Sequence, residues 1–202
     1  MSIIFIFSAP SGAGKTTLCL EMMRRCPGLM RSISHTTRAP RFDELDGRDY
    51  YFISEEEFLN KIKAGLFLEW AKVHGHFYGT SKENVIKAQK LGLDLVLVID
   101  VQGALNLKKM KIDAVYCFIS VPSIKVLETR LVDRGSDSDE DVKVRLRNAL
   151  EEIEQSKHYD YILINCEIDE TVDNMIAIVK AERCRAHRFF KSREMKECLS
   201  KK

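Results

Sequence analysis

The residues Ala9-Pro10-Ser11-Gly12-Ala13-Gly14-Lys15-Thr16-Thr17 leave this chain few folds to choose from. They follow the apolar run Ile3-Ile4-Phe5-Ile6-Phe7 and precede a helical pattern through Leu18, Leu20, Met22 and Met23. A strand, a small-residue loop ending in Gly-Lys-Thr and then a helix is the context expected of a phosphate-binding loop. Glycines let successive backbone N–H groups turn inward around a phosphate, and the helix N-terminus behind them adds partial positive charge. In such a loop Lys15 meets the β- and γ-phosphates and the Thr16 hydroxyl ligates Mg²⁺. The pattern usually opens with Gly, whereas Ala9 stands here. Ala lacks the freedom of Gly at positive φ, so the loop requires negative φ at that position.

Further along, apolar strand patterns alternate with helical ones. Strands are expected at Ser2–Ser8, Leu29–Ser34, Leu93–Ile99, Ala114–Val121 and Tyr161–Asn165, and helices from about Gln102, Ser123, Asp139 and Glu170, the last running to about Lys191. Leu93–Ile99 is almost unbroken in its hydrophobicity, as in a strand buried on both faces. This alternation predicts an α/β fold with a parallel sheet core, P-loop NTPase-like, with helices on both faces. Residues 34–92 interrupt it with a polar loop, short strands at Tyr50–Ile53, Leu66–His74 and Phe77-Tyr78, and a helix opened by the capping box Ser54-Glu55-Glu56-Glu57. In a doubly wound sheet ligands sit beyond the carboxyl ends of the strands. The phosphate loop and Asp100 both lie at such ends, so the insertion is expected to reach over the same crevice.

Size and composition limit the remaining options. At 202 residues, 45% hydrophobic and 31% charged, the chain suits one compact unit. A net charge of +2 gives no general electrostatic case for nucleic acid or a membrane surface. The six cysteines, at 19, 26, 117, 166, 184 and 198, show no CxxC pair and no metal-ligand rhythm, and read as reduced structural thiols. No apolar run approaches the ~20 residues of a membrane span, and the N-terminal run lacks a basic leader. A cytoplasmic location is the expectation.

Several further stretches carry a resemblance. They are Ser34-His35-Thr36-Thr37-Arg38-Ala39-Pro40-Arg41, Gly47-Arg48-Asp49-Tyr50-Tyr51-Phe52, Glu69-Trp70-Ala71, Tyr78-Gly79-Thr80 and Ile99-Asp100-Val101-Gln102-Gly103, followed by Arg130-Leu131, Arg134-Gly135-Ser136-Asp137-Ser138 and Arg145. Together with the phosphate loop they resemble the guanylate kinase family, in order and over nearly the whole chain. The resemblance implies transfer of the γ-phosphate of ATP to GMP, with Mg²⁺, on a core (1–33, 93–125 and 157–202) carrying a small GMP-binding insertion (34–92) and a helical lid (126–156). It implies ATP contacts from Ala9 to Thr17 and from Arg130, Arg134 and Asn165, and GMP contacts from Ser34, Arg38, Arg41, Tyr50, Glu69, Tyr78, Gly79, Thr80 and Asp100. Thr16 and Asp100 would serve the metal. Lys15, Arg38, Arg134 and Arg145 would stabilise the transferring phosphate, the last two from the lid. The implied partners are ATP and GMP, with dGMP by extension, no nucleic acid and no membrane, in a monomer or homodimer.

These roles are chemically sensible. Arginine forks meet phosphate oxygens bidentately. Guanine offers N1–H and N2–H₂ as adjacent donors, which a carboxylate such as Glu69 accepts, whereas adenine presents a bare N1 acceptor to it. A site built on such bonds rejects the wrong partner strongly. Taken singly, Arg38 and Arg41 read as exposed loop charges and Glu69 as a surface acid beside Trp70. Three positions depart from the family pattern: Val98, where relatives carry Asp or Glu, Cys166, where they carry Asp, and Asp43, where Gly is common. Two rivals follow from the same scaffold. One is a kinase for a sugar phosphate, which would not need Ser34, Glu69 and Tyr78. The other is a non-catalytic module binding phosphopeptides, which would not need Lys15 and Thr16.

Overall fold

The computed structural model describes residues 2–73, 75–132 and 139–190. β1 (Ile4–Ser8) leads through the phosphate loop into α1 (Lys15–Arg25), followed by β2 (Leu29–Arg31). Then come β3 (His35–Thr36), β4 (Tyr51–Phe52), α2 (Glu55–Lys63), β5 (Phe67–Val73), β6 (His76–Ser81) and α3 (Lys82–Leu91). The chain continues with β7 (Asp94–Val98), α4 (Val101–Lys109), β8 (Val115–Ser120), α5 (Ile124–Val132) and α6 (Asp139–Glu154). A 3-10 turn at Gln155–His158, β9 (Tyr161–Ile164), α7 (Ile168–Arg183) and α8 (Ala186–Phe190) complete it.

Five parallel strands form the main sheet in the order β2-β7-β1-β8-β9. Its two faces are covered by different helices, because strand residues alternate between them. Phe5, Phe7, Val96, Cys117 and Ile119 pack with residues of α1, α5, α6 and α7, including Leu18, Met22, Leu127, Val142 and Met175. Ile6, Leu95, Leu97 and Tyr116 pack on the opposite face with Ala88 of α3 and Ala104 and Leu107 of α4. Burying each such large apolar side chain is worth roughly 1.5–3 kcal/mol. The predicted α/β fold with helices on both faces is what forms.

The second sheet runs β4-β3-β6-β5 and closes on a small aromatic core of Phe58, Phe67 and Phe77. Two boundaries differ from expectation. The strand expected over Leu29–Ser34 ends at Arg31, after which the chain crosses from one sheet to the other: the Ser32 N–H donates to Val96, while the Ser34 carbonyl accepts from Tyr51. His35 and Thr36, expected in a loop, become the strand that joins Gly79 and Tyr78 to Tyr51 and Phe52. The last helix, expected to continue to about Lys191, breaks after Arg183. There Arg185 and Arg188 both turn back to the buried Glu182, whose carboxylate also accepts from Tyr161 Oη at 2.8 Å.

Candidate active site

The phosphate loop leaves the carboxyl end of β1 and is set by two left-handed glycines, Gly12 (φ 89°) and Gly14 (φ 82°), the latter capping α1. Gly12 also lies so close to α5 that a Cβ there would sit 3.0 Å from Leu131 and 3.2 Å from Leu127. Ala9 keeps negative φ, as its lack of glycine's freedom demands; Lys111 is the one non-glycine at positive φ among the described residues. From behind, the Asn165 side-chain amide donates to the Ala13 carbonyl at 2.9 Å, so this residue braces the loop. Arg130 of α5 donates to the Asn165 carbonyl in turn.

Lys15 Nζ donates to the Ile99 carbonyl at 2.6 Å, at the end of β7. Burial pushes its ammonium pKa down, against the partial relief of the nearby Asp100 carboxylate. Glu152 of α6 lines the same end of the cleft, where burial raises its carboxyl to about 7 despite the neighbouring Lys15. No motif in the sequence marks Glu152. It does, however, stand seven residues after Arg145, two turns on, and both residues line the cleft.

Across the cleft the second sheet presents Arg38. Its Nε donates to Tyr78 Oη at 3.2 Å, its Nη1 to the Ala39 carbonyl and its Nη2 to both Glu44 oxygens at 2.8 Å. Glu44 also accepts from the Arg41 N–H at 2.8 Å, which closes the turn carrying Arg41. Tyr50 stacks edge-on against Tyr78 at 5.9 Å and lies under the Arg38 guanidinium at 5.6 Å. Arg31 reaches from β2 of the main sheet to the Arg48 and Asp49 carbonyls, tying that turn to the core. Glu44 and Arg31 were not anticipated: a turn carboxylate and a strand arginine carry no motif.

Between these two ends lie the acids. Glu69 of β5 is 7% exposed and accepts from Thr80 Oγ1 of β6 at 2.7 Å. The hairpin pairing Glu69 with Thr80 brings them together. Burial raises Glu69 to about 7, with Thr80 opposing the rise and Asp100 adding to it. Asp100 caps α4, accepting from the Gly103 N–H at 2.8 Å. Ser34 is buried at the crossing between the sheets. Gly79 has a packing reason of its own, since a Cβ there would approach Phe58 and Phe67 to about 3.0 Å.

One cavity of about 300 Å³ is lined by Ala9 to Thr17, Ser34, Arg41, Tyr50, Glu69, Tyr78, Gly79, Asp100 and Arg145. Arg38 and Thr80 join it through their bonds to Tyr78 and Glu69. Asn165 and Arg130 stand behind the loop. Arg134 and the Gly135–Ser138 tip of the expected lid lie outside the described residues. Val98 also lines the cavity.

A parallel sheet with a glycine-shaped, lysine-ended loop at its centre, facing an arginine- and tyrosine-bearing insertion, defines a P-loop nucleotide kinase. A family model described as guanylate kinase matches residues 2–182, and the chain belongs to the guanylate kinase family. It is 47% identical over 186 residues to a guanylate kinase of Geobacter metallireducens, covering 92% of each chain. It is 43% identical to that of Thermotoga maritima, covering 92% of this chain and 89% of the other. The crystal structure of guanylate kinase from Anaplasma phagocytophilum superimposes with a TM-score of 0.74 at 35% identity, covering 93% of this chain and 89% of that one.

Proposed function

We propose that this chain transfers the γ-phosphate of ATP to GMP, giving ADP and GDP, and accepts dGMP as well. The observation that carries the reading is the Glu69–Thr80 pair, buried in the same cavity as the phosphate loop. A sugar phosphate has no guanine edge with its planar N1–H and N2–H₂ donors for that carboxylate to read, and a phosphopeptide module has no use for Lys15 and Thr16.

The GMP phosphate is already an anionic nucleophile, so the reaction needs in-line positioning and neutralisation of crowded negative charge more than proton abstraction. On this reading Arg38, Arg41, Tyr50 and Tyr78 hold the acceptor phosphate. Glu69 accepts from guanine N1–H and N2–H₂, Thr80 steadies Glu69, Ser34 donates to O6 and Asp100 accepts from the amino group. The loop N–H groups and Lys15 hold the donor phosphates, Lys15 exchanging its bond to Ile99 for phosphate oxygens, while Arg145 and Arg134 serve the transferring group. Asn165 and Arg130 act as braces of the loop. The insertion and the lid act as units closing on the core.

The donors present suit Mg²⁺: the Thr16 hydroxyl and the Asp100 carboxylate are hard oxygen ligands. Among the described residues no group of three or more His, Cys, Asp or Glu forms a cage. When bound, Mg²⁺ would neutralise phosphate charge during transfer. The five described cysteines are free, in keeping with the reducing cytoplasm in which we place the protein. No helix among the described residues is long and apolar enough to cross a membrane.

A coupled assay of ADP formation with GMP, dGMP, AMP and IMP tests the reading. Turnover of GMP and dGMP far above AMP is expected. ATP-dependent turnover of AMP without GMP would overturn it.

A further inference from the structure

Gly103 occupies the third position of α4, where glycine is among the poorest helix formers. Its backbone does not call for glycine, since it is absent from the residues with positive φ. Space does. A Cβ built at Gly103 would lie 2.7 Å from Glu69 Oε2 and 3.3 Å from Glu69 Cδ. The carboxylate has little freedom to retreat, because its other oxygen is held by Thr80 at 2.7 Å and the residue is 7% exposed. The same glycine donates its N–H to Asp100 Oδ1 at 2.8 Å. One residue without a side chain therefore abuts both acids, which come from different sheets: Glu69 from β5 and Asp100 from the end of β7.

We infer that Gly103 is a specificity-determining positioning residue: its missing side chain lets the Glu69 carboxylate seat against α4 and so fixes where the base-reading acid points. This rests on the assignment of Glu69 to the purine edge. A methyl group at 103 would act on the aim of one side chain. The loss would fall on the purine and spare the triphosphate.

Gly103→Ala tests this, with Glu69→Gln assayed beside it. Gly103→Ala is expected to raise the KM for GMP roughly tenfold, the scale of one misplaced bond to a charged group, and to narrow the preference for GMP over IMP by a similar factor. The KM for ATP should stay within about twofold, since the loop bonds are untouched. Thermal unfolding supplies an independent reading. In the native background Gly103→Ala should lower Tm, whereas in a Glu69→Ala background it should be neutral or raise Tm, because alanine is the better helix former. Equal Tm losses in both backgrounds, or a KM for GMP unmoved by Gly103→Ala while Glu69→Gln raises it, would overturn the inference alone. A KM for GMP unmoved by Glu69→Gln would overturn the base-reading assignment and this inference with it.

Discussion

Lys15 donates to the backbone carbonyl of Ile99, linking the phosphate loop at the end of β1 to the end of the adjacent strand β7. The cation is thus stored inside the cleft on a neutral acceptor, one residue before Asp100. Burial already disfavours its charge, and the nearby Asp100 carboxylate offsets part of that.

Lys15→Met should therefore strike catalysis more than folding. We expect kcat to fall by about 10²-fold or more, the scale seen when one aimed donor to transition-state charge is removed. The orphaned Ile99 carbonyl should cost about 1–3 kcal/mol of stability. Steady-state kinetics and thermal unfolding of the variant check the two effects separately.

If Glu69 reads guanine as proposed, GMP binding should depend on pH. Burial chiefly pushes the Glu69 carboxyl from an ordinary 4.5 up to about 7. Guanine's two N–H donors need the carboxylate, so the KM for GMP should rise as pH falls below about 7, while the KM for ATP should lack this limb. A pH profile of kcat/KM for GMP that is flat from 6 to 8 would contradict this.

The same shift bears on stability in the opposite sense. A raised acid binds its proton more tightly when folded, so its contribution is fully present below about 4.5 and is lost as pH rises to about 7. Glu152 adds to this over the same window. The ligand-free protein should melt at a lower temperature at pH 8 than at pH 6, and Glu69→Gln and Glu152→Gln should each flatten that slope in calorimetry.

Arg38→Lys should raise the KM for GMP roughly 10- to 100-fold with ATP affinity unchanged. An ammonium cannot at once face Glu44, Tyr78 and the Ala39 carbonyl as the guanidinium does. Titration calorimetry with GMP alone reads this loss directly.

Asp94 anchors the rear of the molecule, accepting from the Ile3 N–H and from Arg183 Nε, each at 2.8 Å. Asp94→Ala should destabilise by about 2–4 kcal/mol, since it strands both donors. That corresponds to a Tm fall of roughly 4–16 °C for a chain of this size. Both KM values should be unaffected at temperatures where the variant remains folded.

The main sheet was legible because its strands are buried on both faces, so Phe5-Ile6-Phe7 and Leu95-Val96-Leu97 announce themselves as unbroken apolar runs. The phosphate loop was legible because its chemistry is local in sequence, and Glu69 and Tyr78-Gly79-Thr80 because they lie in stretches that resemble the family. What stayed hidden lies between elements. Glu44 acts through a turn, Arg31 through carbonyls 17 and 18 residues away, and Gly103 through space against a residue of the other sheet. No periodicity records such relations, because each depends on how two elements come to rest against each other. The early end of β2 has the same origin: Ser32 and Ser34 are claimed by different sheets.

The second sheet leaves and re-enters the first through neighbours, for β2 and β7 are paired from Leu29–Asp94 to Arg31–Val96. Its two stems are already side by side, so the entropy of closing the excursion depends only weakly on its length. The excursion at 34–92 is thus rooted at one short seam, while the phosphate loop leaves β1, on the other side of β7. Length changes confined to the excursion's loop at residues 37–49 should leave the phosphate loop standing, whereas α3 has to stay, because Ala88 fills one face of the main core.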